Sequence, residues 1–142
     1  MPDFQDEQNK KSNVPPNVKS EQLANYVEKV WGHEEWIVNN LKYCGKKLVV
    51  KKGYRISMHY HKMKEETFYV LSGKILAETE FEDKKESRLM TPGDVLHVKP
   101  YMWHRITGIA DSEVIEFSTF HMDEDSYRKT KSEAVDLKEL GF

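Results

Sequence analysis

The sequence has a single cysteine, Cys44, among 142 residues, so no disulfide can form within the chain and a reducing, cytoplasmic setting is expected. It lacks any apolar run approaching the ~18 residues of a membrane span. Its polar start carries no signal-peptide core. An excess of one charge sign is missing too: 22 basic residues against 24 acidic ones leave a net −2, which argues against a dedicated nucleic-acid binder. Internal repeats, low-complexity blocks and long stretches of helical period are absent. These absences leave a soluble protein with enough chain for a single core.

Residues 1–22 contain few large apolar side chains and the pair Pro15-Pro16, and read as a flexible N-terminal arm. Residues 23–142 read as one domain with a short C-terminal tail. "EQLANYVEKVW" fits either a helical turn or an extended lead-in. From Trp31 onward, short β-branched and aromatic runs ("HEEWIVN", "KKLVVKK", "RISMHYH", "TFYVLSG", "KILAETEF", "SRLMT", "DVLHVK", "HRITG", "EVIEFSTFH") alternate with turn signals such as Ser72-Gly73, Glu82-Asp83 and Pro92-Gly93-Asp94. Many short strands at regular spacing predict an all-β sandwich or barrel. The tail "SEAVDLKELGF" predicts one short helix, with Ser132 as its N-cap and Gly141 past its end.

Side chains at i and i+2 of a strand share a face, so His59 and His61 project together. Glu65 and Glu66 open the next run, and a hairpin brings one of them beside the pair. His104 starts a later strand. Three imidazoles and one carboxylate satisfy a divalent transition metal (Zn, Mn, Fe or Ni) and leave coordination positions open. By the same parity Arg55 and Ser57 point inward, while Ile56, Met58 and Tyr60, with Tyr69 and Leu71 on the next strand, form an apolar exterior. That exterior needs covering, and a homodimer is the expectation.

These residues carry a resemblance to the cupin superfamily. Its first motif, G-x5-H-x-H-x4-E-x6-G, reads here Gly53, His59, His61, Glu66, Gly73 with every spacing met. A second motif is visible in Pro92-Gly93-Asp94 and "VLHVKPYMWH", although Lys99, Tyr101 and Gly108 stand where a proline, a glycine and an asparagine are usual. The resemblance implies a small antiparallel β-barrel of the jelly-roll type. It also implies one metal ion per chain on His59, His61, Glu66 and His104, with Glu65 as the alternative carboxylate. "VEKVWGHEEW", "ETFYVLSGK" and "VIEFSTFHMDEDSYR" are similar to the cupin domain of type II mannose-6-phosphate isomerases.

That narrower likeness implies aldose–ketose isomerisation of a sugar or sugar phosphate. Glu116 is the candidate base carrying the proton between two carbons, and His97 is the second candidate. Arg55 and Lys62 are candidate anion contacts and Trp103 a candidate pocket wall. An iron-dependent dioxygenase and a non-catalytic sugar- or ligand-binding cupin are the alternatives.

Overall fold

The computed structural model describes residues 23–142; the arm expected over residues 1–22 lies outside them. Among the described residues thirteen strands run in chain order: β1 (Asn25–Lys29), β2 (Gly32–Asn39), β3 (Cys44–Val50), β4 (Tyr54–Arg55), β5 (His59–Tyr60), β6 (Glu66–Ser72), β7 (Ile75–Phe81), β8 (Lys84–Met90), β9 (Val95–Val98), β10 (Trp103–Gly108), β11 (Ser112–Ser118), β12 (Tyr127–Arg128) and β13 (Glu133–Ala134). Short 3-10 turns cover Asp123–Asp125 and Leu137–Leu140. No helix among the described residues is long and apolar enough to cross a membrane.

The strands form two antiparallel sheets. One has the order β1-β2-β3-β11-β6-β9; the other runs β12-β5-β10-β4-β13, with β7 bonded to β10 and β8 to β7. Alternation decides what lies between them. In β3, Cys44, Lys46, Leu48 and Val50 are buried while their neighbours are half-buried, and β6 and β11 repeat the pattern. Leu48, Val50, Phe68, Val70 and Val114 of the first sheet meet Ile75, Ala77, Met90 and Ile106 of the second in one apolar cluster. Full burial of each of these side chains larger than alanine contributes about 1.5–3 kcal/mol. This is the all-β jelly roll that the sequence predicts.

The run "RISMHYH" is not the continuous strand its composition suggests. The ladder breaks over residues 56–58: Ile56 N still donates to Ile106 O (2.9 Å), but hydroxyls of the C-terminal segment take the next two amides, Ser57 N donating to Ser132 Oγ (3.1 Å) and Met58 N to Thr130 Oγ1 (2.9 Å). The break resets the parity. Ile56, expected outside, packs on the core. Arg55, expected inside, pairs with Glu133 across the β4–β13 ladder. Tyr60 is covered within the chain by Tyr101, Trp103 and Tyr127. Tyr69 and Leu71 do face outward, at 37% and 47% exposure. Nor does Ser132 cap a helix; Asp136 caps the last 3-10 turn by accepting from Lys138 N (3.0 Å), and Gly141 ends it at φ +90°.

Gly73 turns the chain from β6 of one sheet into β7 of the other at φ +85°, where an added Cβ would stand 2.3 Å from Asp111 O and 2.3 Å from Ser112 Oγ. Backbone preference and space both demand glycine there. Gly73→Ala should therefore destabilise the fold by more than ~1 kcal/mol, read as a lower urea midpoint with an unchanged slope. An unaltered midpoint would refute this account of the turn.

Candidate functional site

The two sheets enclose a cavity of about 750 Å³. β5 brings in His59, the residue after it is His61, and β10 brings in His104, whose Cα is paired with that of His59. Ligand atoms of the three imidazoles lie within 4.8 Å of one another. Each ring has its Nδ1 engaged by a main-chain carbonyl: His59 with Ser57 O (2.7 Å), His61 with Asp125 O (3.0 Å) and His104 with Met102 O (3.0 Å). A neutral ring that donates from Nδ1 presents its lone pair on Nε2, the tautomer of a metal ligand oriented from behind.

Glu66, the first residue of β6, is buried beside them. Its Oε2 lies 3.0 Å from His104 Nε2 and its Oε1 3.7 Å from His61 Nε2. Neither approach has the geometry of a hydrogen bond, and His61 Nε2, His104 Nε2 and Glu66 Oε2 have no hydrogen-bond partner among the described residues. Lone pairs facing one another in a buried space are costly unless a cation or a proton stands between them. The donor set therefore fits a divalent transition metal. Titration behaviour agrees. Burial, with His104 alongside, pulls His59 down to about 3, and burial pulls His61 down to about 4, so both rings are neutral at physiological pH. At His104 burial is outweighed by the Glu66 charge and the pKa rises.

Lys64 joins this group to a second carboxylate. Its ammonium, only 2% exposed, contacts Glu66 Oε1 (3.0 Å), Glu116 Oε2 (2.8 Å) and His121 Nδ1 (2.8 Å), which matches its three donors. His121 Nε2 faces Asp123 Oδ1 at 2.9 Å. Burial would lower the Lys64 pKa, but Glu66 and Glu116 raise it. Burial opposes ionisation of Glu66, yet His104 and Lys64 hold its carboxyl well below the ordinary range. Glu116 is raised by burial and by the Glu66 charge, against Lys64 and Lys46. Asp125 fixes the loop that carries Lys64: its carboxylate accepts from Lys62 N (2.9 Å), Met63 N (3.2 Å) and Lys64 N (3.0 Å).

Of the residues singled out from sequence, His59, His61, Glu66, His104 and Glu116 line this one cavity. Four others do not. Arg55 is engaged by Glu133. Lys62 reaches over the Tyr127 ring. Trp103 packs edge-on against Tyr60, 4.6 Å between centroids. His97 is on the outward side of β9, with Nε2 2.5 Å from Glu65 Oε2. That contact also carries Glu65 away from the histidines. Sequence reasoning missed Lys46 and His121, both of which line the cavity. Strand parity holds the clue to Lys46, because "KKLVV" puts it on the face of Leu48 and Val50.

Comparison with known proteins decides the family. Residues 47–120 match the family model described as "Cupin domain". The chain belongs to the cupin family. No curated protein matches the sequence. Solved structures similar to this cupin include KdgF from Halomonas sp., at 19% identity and TM-score 0.63, with 70% of this chain and 91% of that one covered. The capsular polysaccharide assembling protein CapF from Staphylococcus aureus aligns at 20% identity and TM-score 0.68, over 82% of this chain and 37% of its own. A variant of the oxalate decarboxylase OxdC from Bacillus subtilis aligns at 13% identity and TM-score 0.69, over 91% and 39%. This cupin thus spans about two fifths of the length of the last two. At these identities the likeness carries the fold alone.

The two neighbouring glutamates offer a sharp test. Glu66→Gln should bind a divalent metal at least tenfold more weakly than Glu65→Gln, as measured by competition with a chromophoric chelator. His59→Ala and His61→Ala should each lose stoichiometric metal in elemental analysis. Equal affinity of the two glutamine variants would remove Glu66 from the ligand set.

Proposed function

We propose that this cupin is a metal-dependent isomerase of a sugar or sugar phosphate, with the metal on His59, His61, His104 and Glu66. Glu116 is its proton-carrying base. The observation that carries the reading is one cavity holding a buried, metal-ready imidazole triad and, across the Lys64 ammonium, a second buried carboxylate whose pKa is raised. A raised pKa makes a carboxylate a better proton acceptor near neutral pH. A carbohydrate is the substrate class to test first, because CapF, which shares this fold, is a capsular polysaccharide assembling protein.

The bound metal would supply Lewis-acid polarisation of neighbouring carbonyl and hydroxyl oxygens. The chain's own residues do the rest. Glu116 Oε2 accepts hydrogen bonds from Lys64 (2.8 Å) and Ser118 Oγ (3.0 Å), which fixes the carboxylate and leaves Oε1 to take the substrate's carbon-bound proton and return it to the adjacent carbon, while the substrate's hydroxyl proton passes to its carbonyl oxygen. Phe68 and Ile106 line the same cavity and limit the water around the transferring proton. The expected homodimer would use the outward residues of the six-stranded sheet, where Tyr69, Leu71, Val95 and Phe117 are exposed.

Incubation of the metal-loaded protein with aldoses, ketoses and their phosphates in heavy water should give interconversion with deuterium on the proton-receiving carbon. Glu116→Gln should keep its metal and lose about 10²–10⁴-fold in turnover. Oxygen uptake by the iron form, with no interconversion across the panel, would replace this reading with the dioxygenase. Ligand binding without any turnover would replace it with the binding protein.

A further inference from the structure

The cavity contains a cation that the proposed reaction leaves unused. Lys46 is 1% exposed, the largest side chain among those almost wholly buried, and it lines the cavity with the histidines. Its Nζ stands 4.0 Å from the centre of the Trp36 ring and 3.9 Å from Glu34 Oε1, and it makes no hydrogen bond to any described residue. One oxygen of each neighbouring carboxylate already has other donors: Glu34 Oε1 accepts from Trp36 Nε1 (3.0 Å), and Glu116 Oε2 accepts from Lys64 and Ser118. The carboxylate oxygen nearest to it among the described residues, Glu34 Oε1, is beyond hydrogen-bond distance, and an incoming oxyanion is a group that could make the short charge-assisted contact.

Its position gives the site a direction. Trp36, Lys46, Glu116 and Phe68 form one cross-strand row over β2, β3, β11 and β6, and Ser118 and Glu66 are paired in the adjacent row. Lys46 is thus one strand from Glu116 and two strands from the strand carrying Glu66, roughly 10 Å at the backbone. That separation suits an open-chain sugar whose reacting end lies at the histidines. Lys29 adds a second, partly exposed cation on the same wall, its Nζ 3.9 Å from Glu34 Oε1.

We propose that Lys46 forms an oxyanion subsite and that the substrate is an acidic sugar, held there by its phosphate or carboxylate. The inference rests on the reading of the cavity as a sugar site. It replaces Arg55, which Glu133 occupies, with a cation inside the cavity.

The test uses the full chain freed of metal, with inorganic phosphate and acetate titrated separately by calorimetry. At least one of the two should bind, and the tighter one identifies the acidic group. Lys46→Met should weaken that binding at least about tenfold, the loss of one charge-assisted contact, while Lys46→Arg keeps most of it. Tryptophan emission gives a readout that needs no change at Lys46: the bound anion should shift it in the native chain and fail to do so in Trp36→Phe. The proposal is overturned if neither anion binds, if Lys46→Met binds like the native chain, or if the emission response is the same with and without Trp36. The readout involves no turnover. A negative result would leave isomerisation of neutral sugars standing, and failed isomerisation would leave the anion result untouched.

Discussion

One buried ammonium organises the interior of this cupin. Lys64 holds Glu66 and Glu116 together where water does not reach, and His121 takes its third donor. Two carboxylates this close in a medium of low dielectric repel each other strongly, and each alone would tend to protonate. With the lysine between them they take different characters. Glu66, which also faces His104, stays ionised, the state a metal ligand would need, while Glu116 keeps a raised pKa. Removing one member of such a buried ion group typically costs about 3–5 kcal/mol, because the remaining charges lose their partners.

The same end of the cavity is tied to the loop that follows His61. Asp125 accepts three successive main-chain amides with its carboxylate, while its own carbonyl receives His61 Nδ1. A single residue of the C-terminal segment therefore sets both the tautomer of a candidate ligand and the path that delivers Lys64. The other two rings are oriented locally, by carbonyls two residues before each of them. Rigid strands supply the Cα positions, and the main chain supplies the proton placement.

Much of this was legible in the sequence. The i, i+2 histidines and the glycine-bounded spacing placed His59, His61 and Glu66, and the second motif supplied His104 despite its altered turn. Tyr101, standing where a glycine is usual, adopts φ +68°, so the backbone keeps the left-handed turn even without glycine. The parity argument held where the ladder is continuous, as in β6. It failed for Arg55 and Ile56, because the break at residues 56–58 depends on the hydroxyls of Thr130 and Ser132, more than seventy positions away. No local pattern announces such a contact. The outward contact of His97 with Glu65 likewise follows from the β6–β9 register, in which Thr67 faces His97 and Glu66 faces Val98.

The central claim is that three imidazoles and one carboxylate converge on a single ion. X-ray absorption spectroscopy of the protein loaded with one equivalent of zinc tests it most directly. The account predicts a first coordination sphere of nitrogen and oxygen with the outer-shell scattering of three imidazoles, reduced to two in His104→Ala. A coordination sphere with one imidazole or none, or one unchanged by the loss of His104, would contradict it.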